Sequence, residues 1–326
     1  MVITITVNPS IDRLYHVSKL ISGELNRVNL ISKMVGGKGI NAARVSAILG
    51  ANTLVTGILG GQNGSYANET LKKEKFISDF IITETETRSC FTIIDDSNKK
   101  TEINELGEPA NNHQLCLLLK KIKNKVLYDS VSAISINGSL SPKMPSDFYV
   151  KLIKNIRNLN SNIPIILDTS GIALSKVIKS TVIPNFIKPN EYEIAELLNS
   201  PVTKDVDFLI SKIKQNSTLM KIPNIFVSLG SHGSLVKHNQ HFFKVSIPKV
   251  TAVNTEGSGD ASVGGILAAI EKNKSFKTIM EYAVAAGTAN ALESNTGFIK
   301  NDVFKQILKE VHIQEKSDEN TFQIEY

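Results

Sequence analysis

The chain has 326 residues, 41% hydrophobic and 21% charged, which is enough to bury a large core as one α/β unit with a small added element. Its formal charge is +6 and its pI about 9.1, but the basic residues are dispersed, which argues against a nucleic-acid surface, and no apolar run approaches the ~20 residues that cross a bilayer. Two cysteines, Cys90 and Cys116, and the lack of a secretory apolar segment point to unpaired thiols in a reducing, cytoplasmic setting.

The β-branched run from Val2 to Val7 predicts a first strand that ends at Asn8-Pro9-Ser10-Ile11-Asp12. Asp12 therefore falls at the carboxyl end of a strand, where open α/β sheets collect ligands. Gly36-Gly37-Lys38-Gly39-Ile40-Asn41 then opens a helix with glycines. Small residues there let a substrate lie against backbone; Asn41 could bond a sugar hydroxyl and Lys38 could attract a phosphate, although a loop that needs positive φ explains the glycines alone. The spacing fits neither G-x-x-x-x-G-K-[ST] nor G-x-G-x-x-G.

Further along, Leu115 to Lys125 reads as a helix whose apolar side is Leu117, Leu118 and Ile122 and whose Lys120, Lys121, Lys123 and Lys125 face solvent. Segments 131–136, 164–168 and 225–227 read as central strands, each followed by a helix, the alternation of a parallel sheet with crossover helices. Two sections break it, about 12–34 and 87–104, the second suggesting a hairpin of 89–94 with 100–104. His238 and His241 are close in sequence but lack an evident third metal ligand. The segment 314–326 is polar and reads as a tail that follows a domain ending near residue 313.

The most informative stretch is Asn254-Thr255-Glu256-Gly257-Ser258-Gly259-Asp260-Ala261-Ser262-Val263-Gly264-Gly265. Gly257 and Gly259 let backbone N–H groups turn toward an anion, and the helix behind them adds its positive end. Asp260, in the first turn, sits where a carboxylate can take a proton from an attacking hydroxyl. A plain helix entry capped by Asp would look the same on a bare G-x-G-D.

Together with Asn8–Asp12, Gly23–Val28, Gly36–Asn41, Thr87-Arg88-Ser89-Cys90, Lys188-Pro189-Asn190-Glu191-Tyr192-Glu193 and Ser228-Leu229-Gly230-Ser231-His232-Gly233, this stretch resembles the PfkB family of ribokinase-like carbohydrate kinases, hexose-phosphate branch, from the first strand to about Gly297. Segments 253–260 and 236–239 look most like the members acting on tagatose 6-phosphate. The resemblance implies a three-layer α/β fold, a mostly parallel central sheet and a small β-sheet lid made of 12–34 and 87–104, often used for homodimer contact. It implies ATP and Mg²⁺ as cofactors and the 1-hydroxyl of tagatose 6-phosphate as acceptor, with 1-phosphofructokinase activity as the alternative and a non-catalytic sugar-phosphate sensor further off.

Carried over position by position, Asp260 is the base, and Gly257, Ser258 and Gly259 form the anion hole. Asp12, Gly37, Asn41, Cys90 and Ser139 fall in the sugar site. Arg27, Lys38 and Arg88 are the cations for the phosphate already on the sugar, Arg27 being equally explained as a solvated surface residue. Asn190, Ser228, Gly230, Gly233 and Asn290 fall on the nucleotide side. Glu193, three residues after Asn190 and on the same helix face, is tied to magnesium, whereas by sequence alone it is a solvated helix residue. Two departures stand out: Asn254 where the family commonly has Asp, and one extra residue near Ser141.

Overall fold

The computed structural model describes residues 1–316. Its elements run β1 (Val2–Thr6), β2 (Ser10–Val17), β3 (Asn29–Gly36), α1 (Lys38–Ile48), β4 (Thr53–Gly60), α2 (Gly61–Leu71), β5 (Ile77–Ser78), β6 (Ile81–Thr83), β7 (Arg88–Asp95) and β8 (Lys100–Asn104). There follow α3 (Asn112–Tyr128), β9 (Ala133–Asn137), α4 (Phe148–Leu159), β10 (Ile165–Asp168), α5 (Gly171–Ile178), β11 (Phe186–Ile187), α6 (Glu191–Leu198), α7 (Val206–Gln215) and α8 (Ser217–Met220). The last part holds β12 (Asn224–Ser228), a 3₁₀ turn (Gly230–His232), β13 (Ser234–His238), β14 (His241–Ser246), α9 (Ser258–Glu271), α10 (Phe276–Ala291), α11 (Asn301–Glu310) and β15 (His312–Glu315).

The large sheet has the order β15-β14-β13-β12-β11-β10-β9-β1-β4-β5, with β6 also paired to β4. It is parallel from β5 to β12 and antiparallel from β12 to β15. Alternation along each strand sorts side chains onto its two faces. Ile3, Ile5, Ile134, Ile136, Ile165, Leu167, Ile225 and Val227 pack with α3 to α8. Their neighbours Val2, Ala133, Ile166 and Phe226 pack with α1, α9 and α10. The result is helices on both faces of one mostly parallel sheet, the three-layer arrangement that the family resemblance implies.

A separate four-stranded sheet, β3-β2-β7-β8, is formed by the two sections that break the βα alternation. β2 pairs with β7 in parallel, Asp12 opposite Cys90, and β7 turns back as a hairpin into β8. Ile11 and Val35 anchor its base in a cluster with Ile40, Ala43 and Leu59.

Three details differ from the sequence reading. The helix expected over 115–125 is longer, and its buried stripe is Leu115, Leu118, Ile122 and Val126, the i, i+3, i+7, i+11 spacing; Leu117 is exposed. No α-helix follows 225–227: β12 passes through the 3₁₀ turn Gly230–His232 into β13, and β13 into β14 through a tight turn at Asn239 with positive φ, so the far edge of the large sheet is antiparallel. Gln314 and Glu315, placed in the tail by their polarity, belong to β15, which pairs with β14; residues 317–326 of that tail lie outside the described residues. Cys90 and Cys116 are both free thiols.

Candidate active site

Three strands end side by side at the crevice. Register aligns Thr6 of β1 with Asn137 of β9, and Asn137 with Asp168 of β10. Such carboxyl ends are where doubly wound sheets put their ligands. The first turns of α1 and α9 converge there, since Asn41 of α1 donates its side-chain N–H to Asp260 Oδ2 of α9 at 2.9 Å and Lys38 donates to Asp168 Oδ1 at 3.2 Å.

Gly257 caps α9 with φ of 75°, a left-handed conformation that a side chain would strain. That turn leads directly into the first N–H groups of the helix, which have no intrahelical acceptor. Lys188, buried just before α6, reaches the same loop: a Cβ on Gly259 would stand 2.9 Å from its Nζ. The turn before it is braced by Asn254, which accepts from Glu256 N at 3.0 Å and donates to Ser294 O at 3.2 Å. Asn at this position thus does structural work as a neutral turn residue.

Asp260 is 8% exposed and its carboxyl is pushed up to about 7. Burial is the largest cause; Lys38 and the Asn41 hydrogen bond pull the other way, and Asp168 adds to the rise. Asp168 keeps its charge. Burial alone would raise it, but Lys188 and Lys38 outweigh that and hold it below the ordinary carboxylate range. Both cations share Oδ1, with Lys188 at 3.9 Å, while the buried Oδ2 has no protein partner. Lys38 in turn holds its proton more firmly than a free lysine, mainly through Asp168 and also through Asp260 and Glu193. The arrangement is a titratable acid beside backbone donors and two fixed positive charges, the equipment of phosphoryl transfer to an alcohol.

The small sheet supplies the other wall. Ser10 Oγ donates to Asp12 Oδ1 at 2.6 Å, and Asp12 lies so close over Gly36 that a Cβ there would fall 1.8 Å from Oδ2. Burial pushes Asp12 above the usual carboxylate range, against the Ser10 hydrogen bond and with Glu256 adding to the rise. Cys90, opposite Asp12 in register, has its thiol raised by burial as well. Arg88 donates to Glu105 O at 3.0 Å and keeps a buried Nε without a protein partner. Lys100 of β8 reaches Glu256, just before Gly257, at 2.9 Å, so the small sheet and this turn are in contact.

Asp12, Gly37, Lys38, Asn41, Arg88, Cys90, Gly257, Ser258, Gly259 and Asp260 are thus brought into one region, whereas other expected site residues are placed differently. Arg27 is exposed between β2 and β3 and makes no hydrogen bond or ion pair among the described residues. Ser139 is exposed in the turn after β9, next to Gly138, whose N–H donates to Asp168 O at 2.8 Å, so it stays at the crevice. Lys38 contacts Asp168 beside Asp260 and keeps part of its side chain exposed, so its charge lies at the crevice. Asn190 is the N-cap of α6 and not a residue on its face: its side chain accepts from Tyr192 N and Glu193 N, and Glu193 returns the bond to Asn190 N, a complete capping box. Asn290 is 0% exposed and committed to protein. Its Nδ2 donates to Glu256 O and Ser258 Oγ and its Oδ1 accepts from Gly297 N and Phe298 N, so it braces the Gly257 turn from behind and has no group left for an adenine. Gly233 answers a packing demand, since a Cβ would lie 2.1 Å from Val245 O, whereas Gly230 meets only Lys204 Nζ at 3.5 Å. Ser228 ends β12, bridged to Asn190. Lys237 and His238, part of the segment that pointed to tagatose 6-phosphate, serve β13 and its neighbours: Lys237 donates to Met220 O and Ile222 O, and His238 stacks on Phe276.

Asp168 and Lys188 are site residues that the sequence reading did not single out. The signal for Asp168 was present, an acid ending a central strand, the same rule that pointed to Asp12.

A buried acid beside a glycine turn, set at the carboxyl ends of a mostly parallel sheet and facing a small separate sheet, is an arrangement that suits an ATP-dependent sugar kinase, the class to which the family comparison assigns the chain. The profile of the pfkB family carbohydrate kinases matches residues 2–302, and the chain belongs to that family. Among solved structures it is similar to a Staphylococcus aureus protein assigned as a phosphofructokinase, with 30% identity, a TM-score of 0.79 and coverage of 97% of this chain and 99% of that one. Phosphofructokinase-2 of Escherichia coli, solved with substrates and products, is 25% identical with a TM-score of 0.84, covering 94% and 98%. A Thermotoga maritima protein described as a possible 1-phosphofructokinase shares the fold at 22% identity and a TM-score of 0.83, covering 97% and 100%. Among the described residues, no helix is long and apolar enough to cross a membrane.

Proposed function

We propose that this kinase transfers the γ-phosphate of ATP to the 1-hydroxyl of tagatose 6-phosphate, giving tagatose 1,6-bisphosphate. The observation that carries the reading is Asp260: buried, titrating near neutrality, held by Asn41 and adjoining the Gly257-Ser258-Gly259 loop. As carboxylate it accepts the hydroxyl proton while the loop's backbone N–H groups and Lys38 and Lys188 balance charge on the transferring phosphoryl group. Asp12 accepts hydrogen bonds from sugar hydroxyls, and Arg88, with an unengaged Nε, binds the phosphate already on the sugar. The donor set also fits Mg²⁺ held largely through water and nucleotide oxygens. Asp168 offers a buried oxygen without a protein partner, and Glu193 is near enough to bias Lys38. When bound, the ion supplies neutralisation of the nucleotide phosphates.

Exposed Leu30, Ile31, Ile103 and Leu106 on and beside the lid strands support a homodimer formed through the lid. The Escherichia coli phosphofructokinase-2 has a tetrameric inhibited form.

The phosphofructokinase assignment of the 30%-identical Staphylococcus aureus protein favours a second reading, fructose phosphates as acceptors, including 1-phosphofructokinase activity on fructose 1-phosphate. An ADP-release assay with tagatose 6-phosphate, fructose 6-phosphate and fructose 1-phosphate separates them. The highest kcat/KM is expected with tagatose 6-phosphate. A higher value with either fructose phosphate overturns the sugar assignment alone, and ADP release with none of several ketose phosphates would leave a sensor.

A further inference from the structure

We propose that Arg44 is a positioning residue for phosphoryl transfer, fixing the side-chain amide of Asn41 so that its N–H group, and not its oxygen, faces Asp260. Resting on the reading of Asp260 as base, the inference assigns a task to a residue that no part of that reading uses.

Arg44 follows Asn41 by three positions on α1, so the two share one helix face. It is 7% exposed, a rare location for a guanidinium unless its donors are met. They are met from four directions. Nε donates to Glu74 Oε1 at 2.9 Å, Nη2 to Val35 O at 3.2 Å, and Nη1 to Thr296 O at 3.4 Å and to Asn41 Oδ1 at 3.1 Å.

The last bond decides the geometry. A guanidinium has no acceptor, so only the oxygen end of the amide can face it, which leaves the nitrogen end for Asp260 Oδ2 at 2.9 Å. With that oxygen engaged, the carboxylate is held in one orientation and its other oxygen is left to receive the hydroxyl proton. Were the amide free to turn over, its oxygen would face the carboxylate, a contact that only a protonated acid tolerates. Gly297 closes the pocket, since a Cβ there would stand 2.6 Å from Asn41 Cβ, and the bond from Arg44 to Thr296 O holds that loop in place. Three acceptors besides Asn41 thus hold the guanidinium still while it orients the amide. The charged groups that face Asp260 itself are Lys38, Asp168 and Lys188, none of which reaches Asn41 Oδ1.

The test uses Arg44→Met, Asn41→Ala and the double variant in the full-length enzyme, assayed with ATP and whichever of tagatose 6-phosphate and fructose 6-phosphate turns over faster. Arg44→Met is expected to lower kcat roughly tenfold, the scale of one hydrogen bond in a charged network, with KM for ATP within about twofold. The acid limb of its kcat profile moves to higher pH in the Asn41 background but not in the Asn41→Ala background, because the shift comes from the weakened Asn41 bond to the ionised Asp260, whereas the direct pull of Arg44 on Asp12 is present in both. The double variant should be no slower than Asn41→Ala alone, since Arg44 acts through that amide. Glu74→Gln guards against a folding defect: it keeps the guanidinium and its other three acceptors, and should lower Tm while leaving the pH limb in place. Additive losses in the double variant, or an unshifted limb in Arg44→Met, overturn the positioning role. If Asp260→Asn turns over like the wild type, the base reading itself fails and takes this inference with it, whereas an inactive Asp260→Asn with additive Arg44 and Asn41 losses overturns the positioning role alone.

Discussion

As the proposed base, Asp260 is under two opposed demands, to be buried next to a reacting phosphate and yet to be a carboxylate when the hydroxyl arrives. Burial raises its pKa, and Lys38 with Asn41 brings it back to about 7. Only the ionised form accepts a proton, so kcat/KM should rise with pH through about 7 and level off above it. Lys38→Met removes the largest influence favouring the carboxylate and should move that limb to higher pH, whatever it does to the maximum rate. Asp260→Asn should lower kcat by ~10²-fold or more while leaving ATP affinity nearly unchanged. A pH–rate series with calorimetric ATP titrations checks all three; a limb that stays put in Lys38→Met, together with wild-type turnover in Asp260→Asn, rules the assignment out. At this scale the sequence revealed the acid and the glycines around it, because they are contiguous. It did not reveal Asp168 as their partner, since Lys38 meets that acid across 130 positions of chain and only the register of β1, β9 and β10 brings them together.

Helix α6 carries a structural and a chemical claim on the same two residues. Asn190 and Glu193 close a capping box, which satisfies N–H groups that the helix start would otherwise leave unpaired. Glu193 is also charged and close enough to Lys38 to influence it. Glu193→Gln separates the two roles, because a glutamine completes the same box without the charge. Thermal unfolding should be nearly unchanged, whereas the magnesium concentration needed for half-maximal rate should rise several-fold. Asn190→Ala should instead cost about 1 kcal/mol of stability, the usual loss of an N-cap. Identical magnesium titrations for Glu193→Gln and wild type would reduce Glu193 to a cap residue. The pattern Asn-x-x-Glu was legible as a pair and misread in geometry, since a spacing of three describes both a shared face and a cap with its N3 partner. Strands were read more securely where β-branched and apolar residues dominate a run of four or more positions, as in β1, β9 and β10. The two-residue strands β5 and β11 have no such period, and they exist because neighbours on the sheet complete their hydrogen bonds.

For the molecule as a whole, the small sheet is the part whose form its own core does not explain. Its base is anchored by Ile11 and Val35, but Leu30, Ile31 and Ile103 in its strands and Leu106 just beyond remain exposed. Sequence reading located this sheet by the two breaks in the βα rhythm, and family resemblance, not pattern, supplied its use as a dimer contact. Exposed apolar side chains grouped on one small sheet gain free energy when a second copy covers them, at roughly 25 cal/mol per Å² removed from water. Each lid would then be stiffened by its partner, and with it Asp12, Cys90 and Arg88, all of which lie on lid strands. The expected outcome is a dimer at micromolar concentration in sedimentation velocity. Ile31→Glu with Ile103→Glu should yield a monomer whose KM for the sugar phosphate rises more than its KM for ATP, because the proposed sugar contacts Asp12, Cys90 and Arg88 lie on the small sheet and the proposed nucleotide contacts on the large one. Wild-type protein that sediments as a monomer removes the dimer, and a monomeric variant with an unchanged sugar KM removes the coupling between assembly and the site.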